Sequence, residues 1–122
     1  MSYMFYGTTS LTSVDLSKWQ TPKLKTVAYM FHGCTNLTDV DISNFDTRGV
    51  TSFKRMFNSD TKLQHVYVGP NWDTSANTDE TKYVFSSTTQ LPNFNSSNSQ
   101  RRYLEYAHAG DGGYFILKTN GS

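Results

Sequence analysis

Asp15 and Asp41 hold the same place in two copies of one short pattern, Val-Asp-(Leu/Ile)-Ser, and Tyr67 takes that place in a third. Around them, at Val14–Leu16, Val40–Ile42 and Val66–Val68, apolar and polar residues alternate. That is the period of a short strand with one buried face. The alternation turns Ser13, Asp15 and Ser17 outward, with Asp39, Asp41 and Ser43 as their counterparts, then His65 and Tyr67. If such strands are neighbours, roughly 4.8 Å apart, their outer face carries a ladder of carboxylates, hydroxyls and an aromatic, suited to a polar glycan or a peptide. The same row serves equally well as a plain solvated sheet face. Stacked carboxylates also attract cations, and here only oxygen ligation of the calcium type is on offer.

Other reactive residue types lack the company their chemistry needs. His32, His65 and His108 fall at unrelated phases with no His-x-x-x-His or Cys/His spacing, which argues against a transition-metal site. Cys34 is the single cysteine, so neither an intrachain disulfide nor a cysteine-based zinc cluster is available. It shares a repeat slot with Thr8, Asp60 and Thr88 and reads as a small packing residue. Gly110-Asp111-Gly112-Gly113 lacks the Gly-Lys-Ser/Thr ending of a phosphate loop and reads as a turn. A hydrolase site around Tyr106, His108 and Asp111 has no base–nucleophile pairing to support it. The chain is therefore read as a non-enzyme, and no cofactor is implied.

What must position the outer ladder is a repeat. Met4-Phe5, Met30-Phe31 and Met56-Phe57 recur at one constant spacing, and Val84-Phe85 follows after a slightly longer interval. Leu11, Leu37, Leu63 and Leu91 keep step with them, and Trp19, Phe45 and Trp72 close the units as core or edge-of-core aromatics. The second half of each unit, Leu24, Val27, Met30 and Phe31, has apolar spacings that fit one face of a helix. Thr21-Pro22 supplies an N-cap and a first-turn proline, and Asp46-Thr47 can start the next helix. Gly7 and Gly33 are placed to end such helices in the left-handed conformation. One unit alone buries too little apolar surface to offset the entropy of ordering its backbone, so neighbours must share a core.

Composition agrees with a folded but hydroxyl-rich domain. The 122 residues carry a net charge of +1 and are 15% aromatic. The near-neutral charge argues against an electrostatic nucleic-acid binder. No apolar run is long enough to span a membrane, so membrane insertion is not expected. No signal peptide is visible at the start. Ser, Thr and Asn keep the surface wet. Arg101-Arg102 reads as solvated.

The pattern Met-Phe-x-Gly-(Cys/Thr)-x-x-Leu-Thr-x-Val-Asp-(Leu/Ile)-Ser-x-(Trp/Phe)-x-Thr resembles the 26-residue repeat of the BspA-like leucine-rich-repeat bacterial surface proteins. Met4–Thr21 and Met30–Thr47 match almost fully. The third copy keeps Met56, Phe57, Leu63 and Val66 but replaces Asp-Leu-Ser with Tyr67-Val68-Gly69-Pro70, and the fourth keeps little beyond Phe85 and Leu91. The resemblance implies an α/β leucine-rich-repeat solenoid with one short parallel strand per coil, backed by short helices. It also implies an extracellular, cell-surface location and a role in adhesion. It supplies no catalytic residues.

On this reading residues 1–91 form the solenoid, about three and a half repeats, and 92–122 form a C-terminal cap. In the cap, Arg101–Ala109 is expected as a short helix and Tyr114–Leu117 as a last strand. Met1 is expected in a core slot, with no N-terminal cap. The expected partner is a protein or glycan on a host or neighbouring cell. The alternative is a structural spacer or self-assembly module that associates through the uncapped N-terminal end.

Overall fold

The computed structural model describes residues 4–20, 24–97, 103–109 and 112–118. The expectations for Met1, Thr21-Pro22, Arg101-Arg102 and Gly110-Asp111 lie outside these residues.

Four strands, β1 (Ser13–Asp15), β2 (Asp39–Ile42), β3 (His65–Val68) and β4 (Ile116–Leu117), form one all-parallel sheet in the order β1-β2-β3-β4. The register follows the sequence repeat: Val14 pairs with Val40 and Val40 with Val66, Asp15 with Asp41 and Asp41 with Tyr67. Every inward residue of β1–β3 is buried, from Val14 through Val40, Ile42, Val66 and Val68. β4 pairs Ile116 with Tyr67 and comes from the distant C-terminal segment, so the fourth unit stacks without contributing a strand.

Behind the sheet runs a column of rings. Phe5 and Phe31 lie 5.4 Å apart, Phe31 and Phe57 5.4 Å, and Phe57 and Phe85 5.8 Å, with planes within 7° of parallel. Offset stacking at this separation is favourable beyond the area it buries. Phe115 and Tyr114 meet Phe85 edge-on. Trp72 packs on Phe53 and Phe115, and its Nε1 donates to the Ala107 carbonyl at 2.7 Å. The C-terminal segment thus covers the last ring of the column. Phe45 is fully buried, whereas Trp19 is 37% exposed and stands outside the core.

The helices expected over the second half of each unit do not form. Among the described residues the only helical segment is one 3-10 turn, Leu104–Tyr106, inside the stretch expected as a short helix. Two observations explain the difference. The N–H groups of Val27, Tyr29, Phe31 and Gly33 donate to the carbonyls of Ser52, Lys54, Met56 and Asn58 in the next unit, at 2.8–3.0 Å. Backbone groups committed between units cannot close bonds within a helix. Tyr29 and Arg55, in equivalent slots, have φ of 59° and 50°, outside the right-handed helical region. The apolar spacing of three instead marks tight turns, with Met30 N–H on Val27 O, Cys34 N–H on Phe31 O and Leu37 N–H on Cys34 O. A three-residue turn and a helical turn bring the same positions to one face, so apolar spacing alone does not separate them.

Gly7 and Gly33 do adopt the left-handed conformation, and Ser59 and Ser87 occupy the same slot with φ of 65°. A side chain in that conformation costs roughly 1–2 kcal/mol. Ser87→Gly is expected to stabilise the fold by about 0.5–1 kcal/mol after the entropy cost of glycine, seen as a melting temperature a few degrees higher.

The slot of Thr8, Cys34, Asp60 and Thr88 forms a second column, of polar side chains. Thr88 Oγ1 donates to the Phe57 carbonyl and accepts the Asp60 N–H at 3.3 Å. Cys34 Sγ donates to the Phe5 carbonyl at 3.0 Å, and burial pushes its thiol up to about 11. Asp60 is fully buried; Oδ1 accepts the Cys34 N–H at 2.9 Å and Oδ2 has no partner. Burial pushes its carboxyl up to about 9, against the opposing Cys34 bond. The folded state therefore keeps a proton that the unfolded chain releases above its ordinary value of 3.8. Stability falls as pH rises from about 4 to about 9. Asp60→Thr, with a hydroxyl placed like that of Thr88, is expected to melt higher than the parent at pH 8 and to lose this slope. The two proteins should converge near pH 4.

Candidate functional site

The strand pattern Asp-Val-Asp-Ile of β2 turns Asp39 and Asp41 to the outer face and buries Val40 and Ile42. In β3 the pattern His-Val-Tyr-Val does the same for His65 and Tyr67. The parallel register then builds two rows across the sheet, Ser13–Asp39–His65 and Asp15–Asp41–Tyr67. The sequence-predicted residues Ser13, Asp15, Asp39, Asp41 and Tyr67 line one shallow depression of 390 Å³. His65 stands beside it. Its Nδ1 is 2.7 Å from Asp39 Oδ1, and its ring stacks 6.2 Å from that of Tyr67. Asp39 Oδ2 also accepts the Thr38 hydroxyl at 2.9 Å.

Ser17 and Ser43 act from just past the strand ends. Their backbone N–H groups donate to Asp15 Oδ1 and Asp41 Oδ1, each at 3.0 Å, closing the same turn in both units. They fix the direction of the two carboxylates and do not line the depression. In the third unit Gly69 takes this slot. A Cβ there would lie 1.9 Å from the Ser43 carbonyl oxygen, so the close approach requires glycine.

The far wall of the depression was not legible as part of a site. Ile116, Leu117 and Lys118 arrive with β4, and Leu117 is 53% exposed. The Lys118 N–H bonds to the Val68 carbonyl at 2.8 Å. From there its side chain crosses β3, and Nζ reaches Asp41 Oδ2 at 2.5 Å. The turn signal before Tyr114 marks a strand, but nothing in the residues says which strand it joins.

The electrostatics follow from these contacts. The Ser17 bonds hold the Asp15 carboxyl below its ordinary range. Partial burial works to raise Asp41, but the bonds from Lys118 and Ser43 outweigh it and the net direction is also down. The Asp41 bond raises Lys118. Two ionised carboxylates thus stand side by side, one of them holding an ammonium. The order of the other row also matters. Its carboxylate lies between serine and histidine, whereas a Ser-His-Asp triad has histidine between hydroxyl and carboxylate. Among the described residues no group of three or more His, Cys, Asp or Glu side chains is placed to hold a metal ion. No helix among them is long and apolar enough to cross a membrane.

A family model described as Mycoplasma protein of unknown function, DUF285, matches residues 1–103. The chain belongs to this family. No curated protein and no solved structure matches it. The DUF285 match runs past residue 91 into the stretch expected as a cap, and stops short of β4 and Lys118.

The ion pair makes a titration test. The depressed carboxyls give stability that is present above 3.8 and lost as pH falls through their lower folded-state values. In a carbon-detected NMR titration, Asp15 and Asp41 should both titrate below 3.8. Lys118→Ala should move Asp41 upward by more than Asp15. Equal movement would place the ammonium elsewhere.

Proposed function

We propose that this DUF285 protein is a non-enzymatic binding module of a bacterial cell surface. It presents the outer strand face of a repeat solenoid to a protein or glycan ligand. The observation that carries the reading is the row Asp15–Asp41–Tyr67, with Lys118 laid across it over a single depression. Two ionised carboxylates, a phenol and an ammonium offer directional donors and acceptors, while Ile116 and Leu117 offer apolar area. Ligand-binding sites are commonly built in this way, with a few convergent polar groups over an apolar wall. The repeating register of the sheet and of the Phe column supports the solenoid, as does the resemblance to surface-protein repeats. Location outside the cell rests on that resemblance.

A second reading, self-assembly, is favoured by a different observation. Of the four large apolar side chains that are exposed among the described residues, Met4, Tyr6 and Trp19 belong to the first unit. Sedimentation at high protein concentration separates the readings, since a strict monomer removes self-assembly.

Binding through the strand face is tested on arrays of glycans and matrix proteins at high protein concentration. The triple change Asp15→Asn, Asp41→Asn, Tyr67→Ala should abolish any binding found; the melting temperature falls with the lost Lys118 ion pair, and a dispersed spectrum confirms that the variant is folded. An empty array, or binding untouched by the triple change, would count decisively against the strand face.

A further inference from the structure

We infer that the groove on the strand face recognises a lysine or arginine side chain carried by an extended peptide segment, with Lys118 of the chain itself holding the place of that cation. The inference rests on the reading of the strand face as the binding surface and names what it binds.

The charge on the face is unbalanced. Asp15, Asp39 and Asp41 line the depression, and among the described residues Lys118 is the one cation lining it. Asp39 shares its oxygens between Thr38 and His65. Asp15 is exposed on the edge strand, and its bonds come from Ser17, its own neighbour two residues on. Lys18 also acts on Asp15 through space, so two ammonium groups face three carboxylates and the surplus is one negative charge. The natural seat of an incoming cation is the pair Asp15 and Asp41, direct register partners, where it takes the place of the Lys118 ammonium.

Two further observations separate this from a mere acidic patch. First, an ammonium already occupies the row: Lys118 Nζ sits on Asp41 Oδ2, and the Asp15 carboxylate acts on the same charge. The groove therefore shows what chemistry it accepts. Second, the seat has an apolar wall. Leu117 exposes about half of its surface at the rim, and Ile116 and Tyr67 are half-buried beside it. A lysine or arginine lays its methylene stem along such a wall while its head meets the carboxylates. An apolar neighbour in the peptide can cover Leu117. A small polyamine has no residue to place there, and a neutral sugar gains nothing from the surplus charge.

Lys118 is tied by its backbone to Val68, so only its side chain needs to swing aside. An internal occupant lowers the apparent affinity by the fraction of time the seat is empty. Removing the Lys118 side chain should therefore tighten binding.

The probes are acetyl-Leu-Lys-amide and acetyl-Leu-Arg-amide, with acetyl-Leu-Gln-amide as the neutral control and spermidine as the amine without apolar neighbours. Binding is followed by NMR on the backbone amides of Asp15, Asp41 and Tyr67. The wild-type protein should bind both cationic peptides more tightly than the control and spermidine. Lys118→Ala should bind them roughly tenfold more tightly than wild type, and Asp15→Asn/Asp41→Asn should lose the preference for charge. Dispersed spectra of each variant confirm its fold; if Lys118→Ala is not folded, Lys118→Gln replaces it with the same expected direction. Equal binding of the lysine and glutamine peptides overturns the inference, as does unchanged affinity in the Lys118 variant or spermidine matching the peptides. If a neutral glycan binds this face without any preference for cations, the inference fails while the strand-face reading stands. If no probe and no array ligand touches the face, both fail together.

Discussion

The column of phenylalanines is the constraint on which the rest of the molecule depends. Four rings, Phe5, Phe31, Phe57 and Phe85, stack nearly parallel at 5.4–5.8 Å. The spacing of stacked rings sets the rise from one unit to the next, and strands hydrogen-bond at a closely similar separation. The rings and the ladder can therefore share one repeat. Two equal steps along the chain and a third, slightly longer one all deliver a ring to the column. The strand ladder is less tolerant: the fourth unit keeps its ring but makes no strand, and β4 fills the vacant edge.

Much of this was legible in the residues, because burial imposes a period on side chains. The short strands, their register and the inward and outward faces follow from alternation and from the constant repeat spacing. The half-units between strands were not legible in the same way. Turns closed by i→i+3 bonds and a helix place apolar residues alike at Leu24, Val27, Met30 and Phe31. What decides between them is the backbone pairing of Val27, Tyr29, Phe31 and Gly33 with the next unit. No side-chain pattern records that pairing. Among the non-glycine residues in left-handed conformation, Tyr29 and Arg55 are likewise silent in the sequence.

The candidate site divides along the same line. Asp15, Asp39, Asp41, His65 and Tyr67 were legible because they lie on strands whose register the repeat fixes. Ser17 and Ser43 belong to the same pattern, but their part is to orient the aspartates through backbone N–H groups. Lys118 breaks the pattern. It reaches Asp41 across 77 residues of sequence, and a contact of that separation leaves no periodic trace. The asymmetry of the face, acidic on one side and apolar with one ammonium on the other, comes from the non-repeating part of the chain.

The borrowed strand also makes one part of the molecule depend on the rest. β1, β2 and β3 are joined by short spans of chain, whereas β4 meets β3 only after a much longer detour. Closing the longer excursion costs only about 0.6 kcal/mol more than closing one of the shorter spans. It is rewarded only once β3 and the ring of Phe85 are in place to receive Ile116 and Phe115. The wall that turns a flat acidic face into a pocket is thus laid onto the edge of β3 and the end of the ring column, and it holds its place only while both are formed.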